Sequence, residues 1–288
     1  MFFRAMKKII LITILALTFF SRQPLARAVP ETSKLRIVSL APATTEILFS
    51  LGLDDQIVGV SSYCNYPPQA QLKEKVGSFS SPSMEKILSL KPDIVFCTGL
   101  EQAPAVRELK NLNLKVYVSN PVNLEGLFRS IEDIGSLTRK EKEARALINK
   151  MKSDIAEVKL SVSAIPQEKK QKVFIEIWSE PLTTAGEGSF IDELITLAGG
   201  INVAHDTRRP YSYFSAEELI KRNPDCIILG YMQEEAPAKA MERLMGWKDI
   251  SAVKNNRVYN DINPDLFLRP GPRLTEGLKE IYKRLYKK

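Results

Sequence analysis

Residues Met84–Val95 read MEKILSLKPDIV, and residues Ala216–Ile227 read AEELIKRNPDCI. In each, a serine able to cap a helix (Ser83, Ser215) precedes a short amphipathic turn, which runs into Pro-Asp and then an apolar strand. The offset between the two stretches is 132 residues throughout. Lys115-Val116-Tyr117 and Arg257-Val258-Tyr259 repeat the next strand at an offset of 142. Two matches in the same order indicate two lobes of similar α/β topology. The alternative is the strand–helix grammar that any α/β chain repeats.

Around the first copy, Leu35–Leu40, Ile57–Val60, Ile94–Cys97 and Lys115–Val118 read as strands. Helices at Glu46–Leu51, Ser83–Leu90 and Glu101–Asn111 alternate with them, an order that argues for a parallel sheet. Pro42 ends the first strand, and Gly52 takes the C′ position after the first helix. Around the second copy, strands at Val173–Trp178, Cys226–Leu229 and Arg257–Asn260 alternate with helices at Phe190–Leu197, Ser215–Lys221, Met241–Trp247 and Arg273–Lys288.

Between the two, Thr138–Ser163 carries Ala144, Leu147, Ile148, Met151, Ile155, Val158 and Val162 at helical spacing. Thr138 and Glu141 have capping-box spacing, and Pro166 ends the run. Such a helix is roughly 40 Å long, enough to pass from one lobe to the other. The expected organisation is an N-terminal α/β lobe at 35–137, a linking helix at 138–163 and a C-terminal α/β lobe at 171–288.

The chain has 288 residues, with 41 Lys+Arg against 34 Asp+Glu. Met1–Ala28 holds five basic residues, no acid and the apolar run Ile9–Phe20, and it ends in Ala26-Arg27-Ala28. That is the pattern of a cleavable signal peptide, residues 1–28, and about 12 apolar residues are too few to span a bilayer. The remainder carries 36 basic against 34 acidic residues, so the basic balance belongs mostly to the leader and gives no support to nucleic-acid binding. No cysteine follows the apolar run, so it offers no site for a lipid anchor. Export without an anchor points to the periplasm.

One histidine and three scattered cysteines exclude a His-rich metal centre, a zinc finger and a disulfide-dense scaffold. No Walker motif, Gly-x-Gly-x-x-Gly or Gly-x-Ser-x-Gly elbow occurs, and His205 reads as a loop residue. Aromatic residues in predicted loops and strand ends of both halves are the stronger signal. They are Tyr63 and Tyr66, Phe79, Trp178, Tyr211, Tyr213, Phe214 and Phe267. Open α/β sheets place ligands beyond their strand ends, and rigid aromatic faces there suit a large planar or apolar ligand. Packing beneath loops is the plain alternative for any one ring. Glu85 and Glu217 each stand two residues after a capping serine, at matching places in the two halves. One carboxylate per lobe suits a two-fold partner with basic sockets, beside the ordinary role of favouring the helix dipole. Cys97 and Cys226 fall in apolar strands, and Cys64 falls in a loop.

Arg36–Glu46 (RIVSLAPATTE), Val58–Pro68 (VGVSSYCNYPP), Glu85–Asp93 and Thr183–Gly200 carry a family resemblance. The chain resembles the periplasmic substrate-binding proteins of ABC importers for metal chelates, and looks most like the cobalamin-binding type. The resemblance covers nearly all of the chain after the leader. It implies two Rossmann-like lobes joined by one long rigid helix, with the ligand cleft between the lobes and little closure on binding. It implies reversible binding of cobalamin or a related corrinoid by a monomer, with no resident cofactor, metal site or catalytic residue.

By motif position, Tyr63 faces the corrin, and Asp265 and Arg269 match residues that hydrogen-bond its amides. Phe79 and Tyr211 stand where the cobalamin-binding type has tryptophan, and Thr98 replaces a further aromatic. Trp178 has no direct counterpart but ends a strand facing the cleft. Glu85 and Glu217 match the carboxylates that dock onto arginines of the permease dimer. Haem and ferric siderophores are the alternative cargo: Tyr63, Tyr211 and His205 are possible axial ligands, and Arg208, Arg209 and Arg269 suit anions. Two further alternatives are an exported enzyme relying on His205 and a protein-binding role for the loop aromatics.

Overall fold

The computed structural model describes residues 34–207, 209–230 and 246–287. The leader at 1–28, Arg208 and most of the expected helix at Met241–Trp247 lie outside them. The N-terminal lobe begins with β1 (Ile37–Ser39) and α1 (Pro42–Ser50). Pro42 does more than end the strand. It occupies the first turn of α1, where a missing N–H costs no hydrogen bond, so the helix starts earlier than the expected Glu46. Gly52 follows the helix at φ +69°, as its C′ role requires. Then come β2 (Ile57–Val60), α2 (Met84–Ser89), β3 (Ile94–Cys97), α3 (Ala103–Asn111) and β4 (Val116–Val118). The four strands form a parallel sheet in the order β2-β1-β3-β4.

A helix that strand–helix alternation does not announce follows, α4 (Leu124–Thr138). It buries Leu124, Leu127, Phe128, Ile131 and Ile134. Thr138 therefore closes one helix instead of capping the next: its hydroxyl donates back to the Ile134 carbonyl at 2.7 Å. Arg139 turns the chain at φ +59°. The linking helix α5 runs Glu141–Ser163, starting three residues later than the expected boundary at Thr138. Its 23 residues give a rod of about 34 Å.

The C-terminal lobe comprises β5 (Lys172–Ser179), β6 (Leu182–Ala185), α6 (Phe190–Leu197), β7 (Ile201–Asn202), β8 (Tyr211–Tyr213), α7 (Ala216–Arg222) and β9 (Cys226–Leu229), then α8 (Ser251–Lys254), β10 (Val258–Tyr259), α9 (Asp265–Leu268) and α10 (Leu274–Tyr286). Its sheet runs β10-β9-β5-β6-β8, with β7 also on β5. The β10-β9-β5 part is parallel, as alternation predicts. The β5-β6-β8 part is antiparallel, which the alternation rule misses. For β5-β6 the cause is the two-residue connection Glu180-Pro181, too short for any crossover.

The repeat survives in atomic detail. Ser83 Oγ accepts from the Lys86 amide, and Ser215 Oγ from the Glu218 amide. Asp93 accepts from the Arg36 amide at 2.7 Å, and Asp225 from the Lys172 amide at 2.9 Å. Each Pro-Asp thus pins the start of the neighbouring parallel strand, β1 or β5. Val95 faces Val116 in register, and Ile227 faces Val258.

Helix α5 joins the two lobes through one buried stripe: Ala144, Ile148, Met151, Ile155 and Val158. Near its start, Ala144 packs where a Cβ on Gly135 of α4 would stand only 2.6 Å away. In its second half, Asp154 pairs with Lys279 of α10 at 2.6 Å. At its end, Val162 lies against Gly199, the C′ residue of α6, which has φ +77°. A Cβ at Gly199 would stand 2.8 Å from Val162 Cγ1, in a backbone conformation that L-residues disfavour. Gly199→Ala is therefore expected to cost about 1–3 kcal/mol, read as a lower urea midpoint with an unchanged slope. An unchanged midpoint would show that this joint tolerates a side chain.

Candidate ligand-binding site

The loop after β2 is rooted by a buried polar knot. Cys64 Sγ lies 3.1 Å from Thr45 Oγ1 and 3.2 Å from Ser61 Oγ, and Thr45 also bonds Ser39. Burial pushes the Cys64 thiol above its usual range, as it does for Cys97 and Cys226, both pushed up to about 12. All three thiols are free and buried. With Cys64 turned inward, the adjacent Tyr63 is turned out and 58% exposed. Its ring meets Phe79 edge-on, with centroids 6.2 Å apart and planes at 66°. Two of the expected ligand-facing rings are thus brought together.

Phe79 is held from behind by Gln102, which no sequence motif marks. The Gln102 amide is fully buried and donates to the Phe79 carbonyl (2.8 Å) and the Leu40 carbonyl (3.0 Å). It accepts from the Thr98 amide at 2.8 Å. The Thr98 hydroxyl turns to the Ser119 carbonyl.

From the other lobe, Asp265 and Arg269 stand one turn apart on and after α9, paired at 2.8 Å. Arg269 also donates to Asn65 Oδ1 at 2.7 Å, two residues from Tyr63. Arg273 reaches further across. Its Nε and Nη2 donate to the two carboxylate oxygens of Glu46 in α1, at 2.8 and 2.6 Å. Its guanidinium lies 3.7 Å above the Tyr66 ring. Glu46, Asn65, Tyr66 and Arg273 complete the cluster, although residue pattern alone does not join them. Burial pushes the Glu46 carboxyl up, while Arg273 and Arg269 pull it down.

Trp178 and Tyr211 stand on the antiparallel strands β5 and β8. Among the described rings, neither makes a ring contact with Tyr63 or Phe79. They share a face of the antiparallel half-sheet with Tyr213: Trp178 pairs with Thr183, Thr183 with Tyr213, and Ala185 with Tyr211. An irregularity in β5 between Glu176 and Trp178 re-aims the strand there. All three rings are exposed, and the Trp178 indole donates to the Glu180 carbonyl.

Glu85 and Glu217 occupy the second position of α2 and α7 and are exposed. Among the described residues, no three His, Cys, Asp or Glu side chains gather in a way that could hold a metal ion. No described helix is long and apolar enough to cross a membrane.

His205 belongs to a different constellation. Its Nδ1 lies 3.1 Å from both oxygens of Asp192, which also receives Asn202 Nδ2 at 2.8 Å. The hydrogen bond and charge of Asp192 raise the His205 pKa above its usual 6.5. The protonated form is thus favoured on folding. Its contribution to stability is full below pH 6.5 and fades as pH rises through the raised value. The untagged protein has one imidazole, so its NMR titration should place the midpoint above 6.5 and return it toward 6.5 in Asp192→Asn. A midpoint unmoved by that substitution would remove Asp192 as the cause.

The sequence pattern of the family described as periplasmic binding protein matches residues 37–263. The chain is 36% identical over 256 residues to an uncharacterised ABC transporter substrate-binding lipoprotein of Bacillus subtilis, covering 87% of this chain and 80% of that one. It is 28% identical over 273 residues to the vitamin B12-binding protein of Vibrio cholerae, covering 94% and 96%. A possible iron-binding, periplasmic solute-binding protein of Staphylococcus epidermidis superposes with a TM-score of 0.77 at 31% identity, over 88% of this chain and 98% of that one.

Proposed function

This chain belongs to the periplasmic binding protein family, and we propose that it captures cobalamin or a related corrinoid and delivers it to an ABC permease. The observation that carries the reading is the joining of an aromatic wall to a polar anchor where the lobes meet: Tyr63 edge-on to Phe79, with Asn65 tied to the Arg269–Asp265 pair. A corrin presents a broad apolar face with amides around its rim. The rings of Tyr63 and Phe79 stack on such a face. Arg269 donates to amide carbonyls and Asp265 accepts from amide N–H groups. Trp178 and Tyr211 supply further flat surface from the C-terminal lobe. Binding is reversible, with no resident cofactor and no covalent step, and the binding protein acts as a monomer in the periplasm after its leader is removed.

Glu85 and Glu217 are the docking charges. They are exposed and equivalent by the 132-residue repeat. The likeness to a possible iron-binding protein favours a second reading, a ferric chelate as cargo.

Calorimetric titration of the mature protein with cyanocobalamin should give one-to-one binding at micromolar affinity or tighter. No heat, together with a Soret band or ferric colour retained by the purified protein, would overturn the corrinoid and favour the iron chelate. The double variant Glu85→Ala/Glu217→Ala should impair uptake through the permease while cyanocobalamin affinity stays at the wild-type value. An equal fall in both would overturn the docking role.

A further inference from the structure

Ion pairs at the lobe junction link four side chains among the described residues. Arg273 is held by both oxygens of Glu46. Arg269 is held by Asp265 at 2.8 Å and stands 3.6 Å from Glu46 Oε1. Among the described residues, Glu46 thus pairs with Arg273 and Arg269, and Arg269 with Asp265. Two guanidiniums therefore face two carboxylates. Glu46 is the most deeply buried of the four, with its side chain 3% exposed against 9% for Arg273, 13% for Arg269 and 20% for Asp265. It is also the one member supplied by the N-terminal lobe.

We propose that Glu46 is a specificity-determining residue: by pairing with both arginines of the opposite lobe it keeps the polar anchor electrically neutral, so that the site takes amide-bearing chelates and rejects carboxylate-bearing ones. The proposal rests on the corrinoid reading for the position of the anchor, but its charge logic applies to any chelate bound there. A planar guanidinium fork is an efficient carboxylate receptor when it is unpaired. Here both forks are already occupied, and a ligand carboxylate would have to displace a buried partner and then lie against Glu46 and Asp265. A neutral amide has no such penalty, since it can share the outer N–H groups and the outer carboxylate oxygens. The arrangement disfavours the wrong ligand as well as holding the right one.

The test compares two ligands that differ in one group: cyanocobalamin and its monocarboxylate, in which one side-chain amide is hydrolysed. Calorimetry of the wild type should show weaker binding of the acid. In Glu46→Gln the acid should gain on the amide by about tenfold, because one positive charge is released at the anchor. Glu46→Asp, which keeps the charge, should preserve the wild-type preference, and Glu46→Gln/Arg273→Gln should restore it. If Glu46→Gln does not fold, Arg273→Gln serves alone: it leaves an excess carboxylate, and discrimination against the acid should sharpen. If the wild type binds no cyanocobalamin, the corrinoid reading fails on its own, and haemin against haemin dimethyl ester carries the same comparison. An acid-to-amide preference that stays constant across the folded variants would overturn the role of Glu46.

Discussion

The contact on which the rest of the structure depends is the two-pronged bond between Arg273 and Glu46. Each lobe builds its own sheet, and one apolar core runs through α5 from one lobe into the other. The Glu46–Arg273 pair adds a second, hydrogen-bonded point of attachment, beside the candidate site. A third lies at the start of α4, where the Leu124 amide donates to Glu193 of α6 at 2.9 Å. Breaking a buried ion pair by removing one partner is costly, because it strands the other charge. The lobes are therefore held at separate points, and the relative placing of Tyr63, Asn65 and Arg269 is fixed by that attachment.

The same cluster gives the site its chemical character. Asn65 is the pivot: it sits between the exposed rings of Tyr63 and Tyr66 on one lobe and accepts from Arg269 of the other. Buried groups behind the rings leave them little freedom. Cys64 turns inward among two hydroxyls and a carbonyl, and Gln102 ties together the ends of β1 and β3 and the Phe79 loop. Rings held this way can offer flat surface without a large ordering cost on binding.

Much of the fold was legible in the chain because its grammar is local. The serine cap, the Pro-Asp turn and the apolar strand each act within a few residues, and the 132-residue offset then carries one lobe onto the other. Where the sequence reading erred, a nearby alternative won. Thr138 has the spacing of a capping box, yet its hydroxyl finds the Ile134 carbonyl one turn back in a helix that the strand–helix pattern had not announced. The antiparallel β5-β6 pairing followed from the length of one turn, Glu180-Pro181, and not from periodicity. Parts of the candidate cluster were legible: Tyr63 meets Phe79, and Asp265 pairs with Arg269. Their connection was not, because Glu46 and Arg273 are 227 residues apart and nothing within either segment indicates the other. Gln102 was hidden for a related reason, since a glutamine at the start of a surface helix reads as solvated until its burial is known.

The most direct test of the account is a crystal structure of the mature protein with cyanocobalamin. It should show the corrin between the lobes with Tyr63 on its face, Asp265 and Arg269 at its amides, and the Glu46–Arg273 pair intact. A ligand bound elsewhere, or a bound state in which that pair has come apart and the lobes have swung closed, would contradict it.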